Sequence, residues 1–470
     1  MSFYRGGRSL PHRFRLVVSS FLQKDGLPFA DVLSETQIQE AFEKEGVSFA
    51  NEEDTVYTPA ITLWAFLSQV LFKGEQRSCL AAVARVIVLL VTLGRKPCAK
   101  NSGAYCRARA RLPERVIQRL TLEVAHGCER QLPRRWLWHG RHVKLVDGTT
   151  VSMPDTDANQ AEYPQHPEQK EGLGFPIARM VVLLSLASAM ISGMALGPYS
   201  GKETGEMALL RELVDQLNPR DIMLGDRYYC SYFTIALLLE LRVDFVVRLH
   251  QNRTADFHRG ARLGRCDHVV TWTRPQRPPW MDRETYQRMP ESITVRELKV
   301  EVNQPGFRTD AFVVVTTLTD AKKYSQDDLA ELYRKRWLVE LDIRAIKITL
   351  DMDILRCKSP EMVRKEIWTC LLAYNLIRKT MLQAAKGAGL SPRQLSFTLA
   401  MQTVAASWMV LIREDENLID VQLASLTGQL VGNRPDRIEP RAVKRRPKPC
   451  KYLTKPRDEA RAELLAGVAE

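Results

Sequence analysis

A chain of 470 residues exceeds one ordinary domain, and 45% hydrophobic with 26% charged residues argues against both wholesale disorder and an integral membrane protein. Lysine and arginine outnumber the acids by 13, a surplus that favours polyanionic partners because each neutralised phosphate releases condensed counterions. Nine cysteines without a C-x-x-C pair, and eight histidines without an H-E-x-x-H pattern, argue against a disulfide framework or a zinc enzyme and for a reducing cytoplasm.

The first 24 residues carry Arg5, Arg8, Arg13, Arg15 and Lys24 and no acid. That composition suits a transit peptide or a basic nucleic-acid-binding arm, and the charge of the whole chain favours the arm. Helical spacing follows over Ala30 to Lys44, Ile61 to Phe72, Cys79 to Leu93 and Pro113 to Leu132, with loops at Gly74, Gly94, Pro97 and Gly103. Basic residues crowd Arg95 to Arg119, as in a small helical DNA-binding domain, although a purely structural bundle reads the same way.

From His142 the texture changes to strands: His142–Met153, Ile177–Leu186 and Met190–Leu196. The uncharged run Met180–Gly197 approaches membrane-spanning length, but its serines and Gly193 suit two buried strands joined by a short turn. An amphipathic helix is predicted over Glu206–Leu217, a short strand over Asp221–Gly225, a helix over Tyr232–Leu241 and a strand over Asp244–Leu249. Such an order implies a mixed sheet covered by helices. Val269–Trp272, Ile293–Val302 and Thr309–Thr317 then alternate like antiparallel strands. A long helical pattern runs from Ser325 to about Leu350, with more helices near 359–384 and 391–413. Asn433 to Lys455 is rich in proline, arginine and lysine and reads as an extended basic segment.

Three acids stand out. Asp147 lies in a strand pattern and is followed by Gly148-Thr149, which by itself also suits a turn. Asp226 follows the apolar run Ile222–Gly225, and two readings stay open: a functional carboxylate at the end of a buried strand, or the N-cap of the next segment. Glu340 belongs to Tyr333, Arg336, Glu340 and Lys347, spaced Y-x2-R-x3-E-x6-K. Offsets of three, four and seven put these four, with Arg344, on one helical face, while Leu332, Val339, Ile343 and Ile346 mark the buried side. Asp342, two positions from Glu340, points away from that face. Asp155 and Asp157 lie near Asp147 in sequence, and His139 and His142 could serve as a base but read as incidental, since a metal-activated water needs none.

The Y-x2-R-x3-E-x6-K spacing, with one Asp in a D-G-T strand and another in a G-D-R segment, resembles the bacterial insertion-sequence-four transposase family. Asp226 lies 79 positions after Asp147 and Glu340 lies 114 after Asp226, the longer gap holding the β-rich stretch that this family inserts into its core. The resemblance implies an α/β fold: a ribonuclease-H-like mixed-sheet catalytic core interrupted by a β-rich insertion, with helical N-terminal and C-terminal regions. The corresponding domains are 1–138 for DNA-end binding, 139–250 with 319–355 for catalysis, 251–318 for the insertion, 356–432 for a helical region and 433–470 for a basic tail. It also implies a cytoplasmic, nucleoid-associated DNA transposase without membrane contact. Asp147, Asp226 and Glu340 would be both catalytic residues and ligands of two Mg²⁺ ions, with Mn²⁺ able to substitute. Tyr333, Arg336, Arg344 and Lys347 would hold DNA phosphates, and Trp272 or Trp280 would stack a flipped base unless both are core residues. Expected partners are double-stranded DNA, as terminal inverted repeats and target, and a second copy in a synaptic homodimer. Cut-and-paste movement through hairpin ends belongs to the same implication. A ribonuclease-H-like nuclease without strand transfer, and a non-catalytic DNA-binding derivative, are the rival readings.

Overall fold

A computed structural model describes residues 55–92, 95–301, 311–407, 416–428, 430–431 and 454–466. The basic arm, the Ala30–Lys44 helix and nearly all of the Asn433–Lys455 segment lie outside the described residues.

Four helices open the described chain: α1 (Pro59–Leu71), α2 (Cys79–Thr92), α3 (Gly103–Arg111) and α4 (Glu114–Glu129). Helix α1 starts where Thr58 caps Ile61 and a proline fills the first turn. Helix α3 is unexpected from sequence, because only Tyr105 and Ala108 of its nine residues are buried and they make no visible period.

The sheet follows. Strands β1 (Val143–Ser152), β2 (Ile177–Ser185) and β3 (Ile191–Pro198) form an antiparallel meander, with the short helix α5 (Asp157–Glu162) between β1 and β2. The Met180–Gly197 run is therefore two strands, turning near Ala189 at φ +61°. Helix α6 (Glu206–Arg211) is shorter than its pattern suggests. The chain tightens into a 3₁₀ turn at Val214–Gln216, which still keeps Leu213 and Leu217 buried. Strand β4 (Ile222–Gly225) then pairs parallel with β1; helix α7 (Tyr232–Glu240) leads to β5 (Asp244–Arg248), parallel with β4. The order β3-β2-β1-β4-β5, antiparallel on one side of β1 and parallel on the other, is the sheet of a ribonuclease-H-like core.

The inserted stretch continues this sheet. Strands β6 (Ala261–Gly264), β7 (Asp267–Thr273), β8 (Ser292–Glu301) and β9 (Ala311–Thr316), with helix α8 (Arg283–Arg288), add antiparallel neighbours in the order β5-β9-β8-β7-β6. Among the described residues, nine strands thus form one sheet.

Both faces are covered, so successive strand residues serve different cores. Val143, Leu145, Ile222 and Leu224 join the cluster shared with α1, α2, α4 and the C-terminal helices, whereas Val146, Met223 and Val247 join a second cluster with α6 and α7. The helical pattern after Ser325 is segmented: α9 (Gln326–Arg334), a 3₁₀ turn at Lys335–Trp337, α10 (Leu338–Arg344) and a π-turn at Ala345–Thr349. A capping box between Ser325 and Asp328 starts it.

Helix α11 (Pro360–Ala388), about 44 Å long at 1.5 Å per residue, runs through the larger cluster and ends at Gly389 in the left-handed region, φ +69°. Its buried Asn375 donates to Thr121 O (2.9 Å) and accepts from Ile191 N–H (2.9 Å), tying α4 and β3 together. Helices α12 (Phe397–Ser407), α13 (Glu416–Thr427) and α14 (Arg457–Ala466) complete the described chain. Among the described residues, no helix is long and apolar enough to cross a membrane, and all eight cysteines are free.

Candidate active site

Register brings the first two acids together. Strands β1 and β4 run parallel with Leu145 opposite Leu224, so two residues further on Asp147, in the middle of β1, stands level with Asp226, the residue that follows the carboxyl end of β4. The strands approach closely because residue 225 is glycine; a Cβ there would lie 2.9 Å from Val146 Cγ1. The adjacent pairing of β5 puts Val247 opposite Gly225, so Arg248 is level with Asp226.

Asp147 Oδ1 accepts the Gly148 N–H (2.9 Å). Asp226 does cap the following turn, accepting Tyr228 N–H at 2.7 Å, but with one oxygen, Oδ1. The two readings of Asp226 are thus compatible, because a carboxylate has a second oxygen. Burial raises the Asp147 carboxyl to about 6. Gly148 N–H and Arg336 oppose that rise, while repulsion from Asp226 and Glu206 adds to it.

Glu340 comes from α10. Arg336, one turn earlier, donates to Glu340 Oε1 at 2.7 Å and holds its other terminal nitrogen 3.9 Å from Asp147 Oδ2. Among the described residues, no three His, Cys, Asp or Glu side chains stand close enough to hold one ion together. The guanidinium instead lies as a cation between Asp147 and Glu340. The donor set still suits a hard divalent ion, being carboxylate oxygen throughout, and an ion would relieve the repulsion that helps to keep Asp147's carboxyl high.

Beside the acids lies a cavity of about 310 Å³ lined by Asp226, Arg227, Arg248, Tyr333 and Arg336. Three guanidiniums around one opening make an anion-binding surface. Tyr333 is buried against Phe312 (ring centroids 5.0 Å apart), and burial pushes its phenol up to about 12. Arg248 and Arg227 escaped the sequence reading. The signal was available, since Arg227 adjoins Asp226 and Arg248 ends the strand that follows.

Other expected residues sit elsewhere. Lys347 pairs with Asp353 at 2.8 Å and Arg344 is exposed; neither lines the cavity. Trp272 is buried, donates to Glu297 Oε1 (2.9 Å) and is covered by Arg253 at 4.0 Å, a packing role. Trp280 is half-buried beneath Arg211 (3.9 Å) with Phe233 at its edge. Asp342 turns away as expected, buried between Arg378 (2.7 Å) and Arg393 (2.9 Å). Asp155 accepts from Gln160, and Asp157 sits in the first turn of α5. His139 faces Asp328 at 3.7 Å, and His142 lies at the start of β1.

Relatives bear on what these acids serve. A protein-family profile described as "Transposase DDE domain" matches residues 138–376, just over half the chain. The transposase InsG for insertion sequence element IS4 of Escherichia coli (strain K12) is 29% identical over 409 residues, covering 84% of this chain and 86% of that protein. A probable transposase for insertion sequence element IS5377 of Geobacillus stearothermophilus is 22% identical over 289 residues, 61% of this chain and 69% of that one. Among solved structures, a piggyBac transposase synaptic complex with hairpin DNA aligns over 88% of this chain and 85% of that one, at 9% identity and a TM-score of 0.42. The profile spans β1 to the middle of α11 and so contains all three acids, and the chain belongs to the transposase DDE-domain family, as a DDE transposase of the IS4 type.

Proposed function

We propose that Asp147, Asp226 and Glu340 hold two Mg²⁺ ions, with Mn²⁺ able to substitute, and that this site cuts insertion-sequence ends and joins the freed 3′-hydroxyls to target DNA. A DDE transposase acts on DNA with divalent metal; the ion, the residues and the course of the reaction are the proposal. The observation that carries it is the level placement of Asp147, within β1, and Asp226, just past the carboxyl end of the neighbouring parallel strand β4, beside a cavity lined by three arginines. When bound, the ions supply an activated oxygen nucleophile and neutralise charge on the phosphate under attack.

The chain's own residues position the DNA. Arg227, Arg248 and Arg336 surround the cavity beside the acids, a place for the phosphate next to the scissile bond. Arg336 then changes partner, leaving Glu340 for the phosphate, which frees both Glu340 and Asp147 for metal. Tyr333, Arg344 and Lys347 extend the phosphate contacts along the same segmented helix, as the family signature implies. Residues 1–138 bind the ends, 139–250 with 319–355 catalyse, 251–318 form the β insertion, 356–432 form the helical region and 433–470 the basic tail. The insertion supports the cavity from β9, which pairs with β5 of the core and whose Phe312 backs Tyr333. Excision proceeds through hairpin ends in a synaptic homodimer.

Purified full-length protein, end DNA, Mg²⁺ and a target plasmid test this. The wild type gives excised ends and integration products. Asp147→Ala, Asp226→Ala and Glu340→Ala abolish both while end binding in a gel shift stays within a few-fold. Retained cutting by Glu340→Ala refutes its role, and cutting without integration products favours a nuclease.

A further inference from the structure

We propose that Arg109 and Arg356 bind a second phosphate group, in a cavity apart from the acids where the N-terminal helices meet the chain beyond Lys347. The lining of this cavity, about 140 Å³, includes Gln69 of α1, Arg77, Ser78, Arg109 of α3, Arg356 and Glu366 of α11, and shares no residue with the cavity beside the acids. Pockets for drug-sized ligands run to roughly 300–1,000 Å³, so this one suits a single oxyanion rather than a nucleoside. Its walls are tied to the end of the segment that carries Glu340: Lys73 donates to Ile348 O (3.4 Å) and Arg77 to Asp351 O (2.6 Å).

The charges around the cavity are unequally met. Arg77 pairs with Asp351 (3.1 Å) and Glu366 (3.4 Å). Glu366 also accepts the backbone N–H groups of Arg356 and Cys357, each at 2.9 Å, so its carboxylate is already engaged. Among the described residues, neither Arg109 nor Arg356 has a carboxylate within 4.0 Å. Arg109 is fixed from one side. Its Nη1 donates to Gln69 Oε1 (3.0 Å), the Gln69 amide nitrogen donates to Arg77 O (2.8 Å), and the guanidinium lies 5.0 Å from the centre of the Phe66 ring. The Arg109 Nε–H is buried and meets no acceptor among the described residues. A buried donor on an uncompensated cation calls for an acceptor that carries negative charge, and a guanidinium fits phosphate oxygens in particular. Helix α2 starts at the same wall, with Ser78 accepting the Ala81 N–H (3.2 Å), and its dipole adds positive potential there. The plainer account makes Arg109 a clamp on Gln69 and Phe66, with a water on Nε. It leaves both charges unmet and gives Arg356 no part.

Two sources supply this chemistry, free inorganic phosphate and the backbone of end DNA, and the test separates them on full-length protein without divalent metal. In the first arm, millimolar phosphate should raise the wild-type melting temperature above that in chloride at equal ionic strength. Arg356→Gln and Arg109→Gln should abolish the rise, which also controls for phosphate's general effect on stability. In the second arm, Arg356→Gln should weaken end binding roughly tenfold, the scale of one hydrogen bond to a charged group. End DNAs with a single neutral methylphosphonate then locate the contact. One position should cost the wild type about tenfold and Arg356→Gln almost nothing, the signature of a coupled pair. Arg356 is exposed, so its variant should fold even if Arg109→Gln does not, and circular dichroism melts check both. Coupling at one position assigns the site to DNA, and stabilisation by phosphate without coupling assigns it to a free anion. If neither appears, Arg109 and Arg356 are structural and the proposal falls. The reading of Asp147, Asp226 and Glu340 is unaffected by that outcome, because it is judged by cutting.

Discussion

Asp147 shows how a single carboxyl can link burial, charge and pH. Its carboxyl is raised to about 6 from 3.8, chiefly by burial. A raised acid favours the folded state most while protonated. Its stabilising contribution is complete below about pH 4 and is lost as pH rises through about 6. In metal-free protein, Asp147→Asn should therefore raise the melting temperature at pH 7.5 and change it little at pH 3.5. A tenfold difference in proton affinity between the folded and unfolded chain corresponds to about 1.4 kcal/mol. Metal binding requires the ionised form, so Mn²⁺ affinity of the wild type should fall as pH drops below about 6. Affinity that is flat from pH 7.5 to 5 would contradict this. Which residues to suspect was legible here: Asp147, Asp226 and Glu340 stood out by spacing and family resemblance. Arg227 and Arg248 were passed over although they adjoin Asp226 and end the following strand, because only the strand register shows that both line the cavity.

At the scale of elements, the segment 326–349 is placed by its buried side. Leu332, Val339 and Ile346 face the core as their spacing predicts. The helix nevertheless breaks into a 3₁₀ turn and a π-turn, so its two ends do not share one continuous face. This explains why Lys347, seven positions after Glu340, meets Asp353 and does not reach the cavity. Asp342 anchors the segment from behind through Arg378 and Arg393. Asp342→Ala leaves Arg378, which still donates to the Tyr374 hydroxyl, buried without its carboxylate and should cost roughly 3–5 kcal/mol. Urea unfolding should show that loss, and integration activity should fall in proportion to the folded fraction at the assay temperature. Selective loss of cutting at full stability would instead assign Asp342 to the chemistry.

Across the whole molecule, the positive surplus of 13 charges and the arginine-lined cavity act together. Binding to end DNA should be strongly salt-dependent. A protein neutralising about six phosphates loses on the order of a thousandfold in affinity between 50 and 200 mM salt. Lys347→Ala should reduce the slope of log affinity against log salt by about one if its family role holds. An unchanged slope would leave Lys347 as Asp353's structural partner.

Strand and helix periods and the two-sided burial of β1, β4 and β5 are written in local sequence, because each follows from which side chains must leave water; the acid signature is legible only as spacing that resembles a family. Sequence alone thus determined the layered α/β architecture and, through family resemblance, nominated three acids. Tertiary structure decided that the inserted strands extend the core sheet, since pairing with the edge of β5 is a contact between residues about 70 positions apart. It also decided that Asp147 and Asp226 stand level and that Arg336 reaches from its helical neighbour Glu340 to Asp147. Those depend on register and close approach, which arise only when distant segments pack.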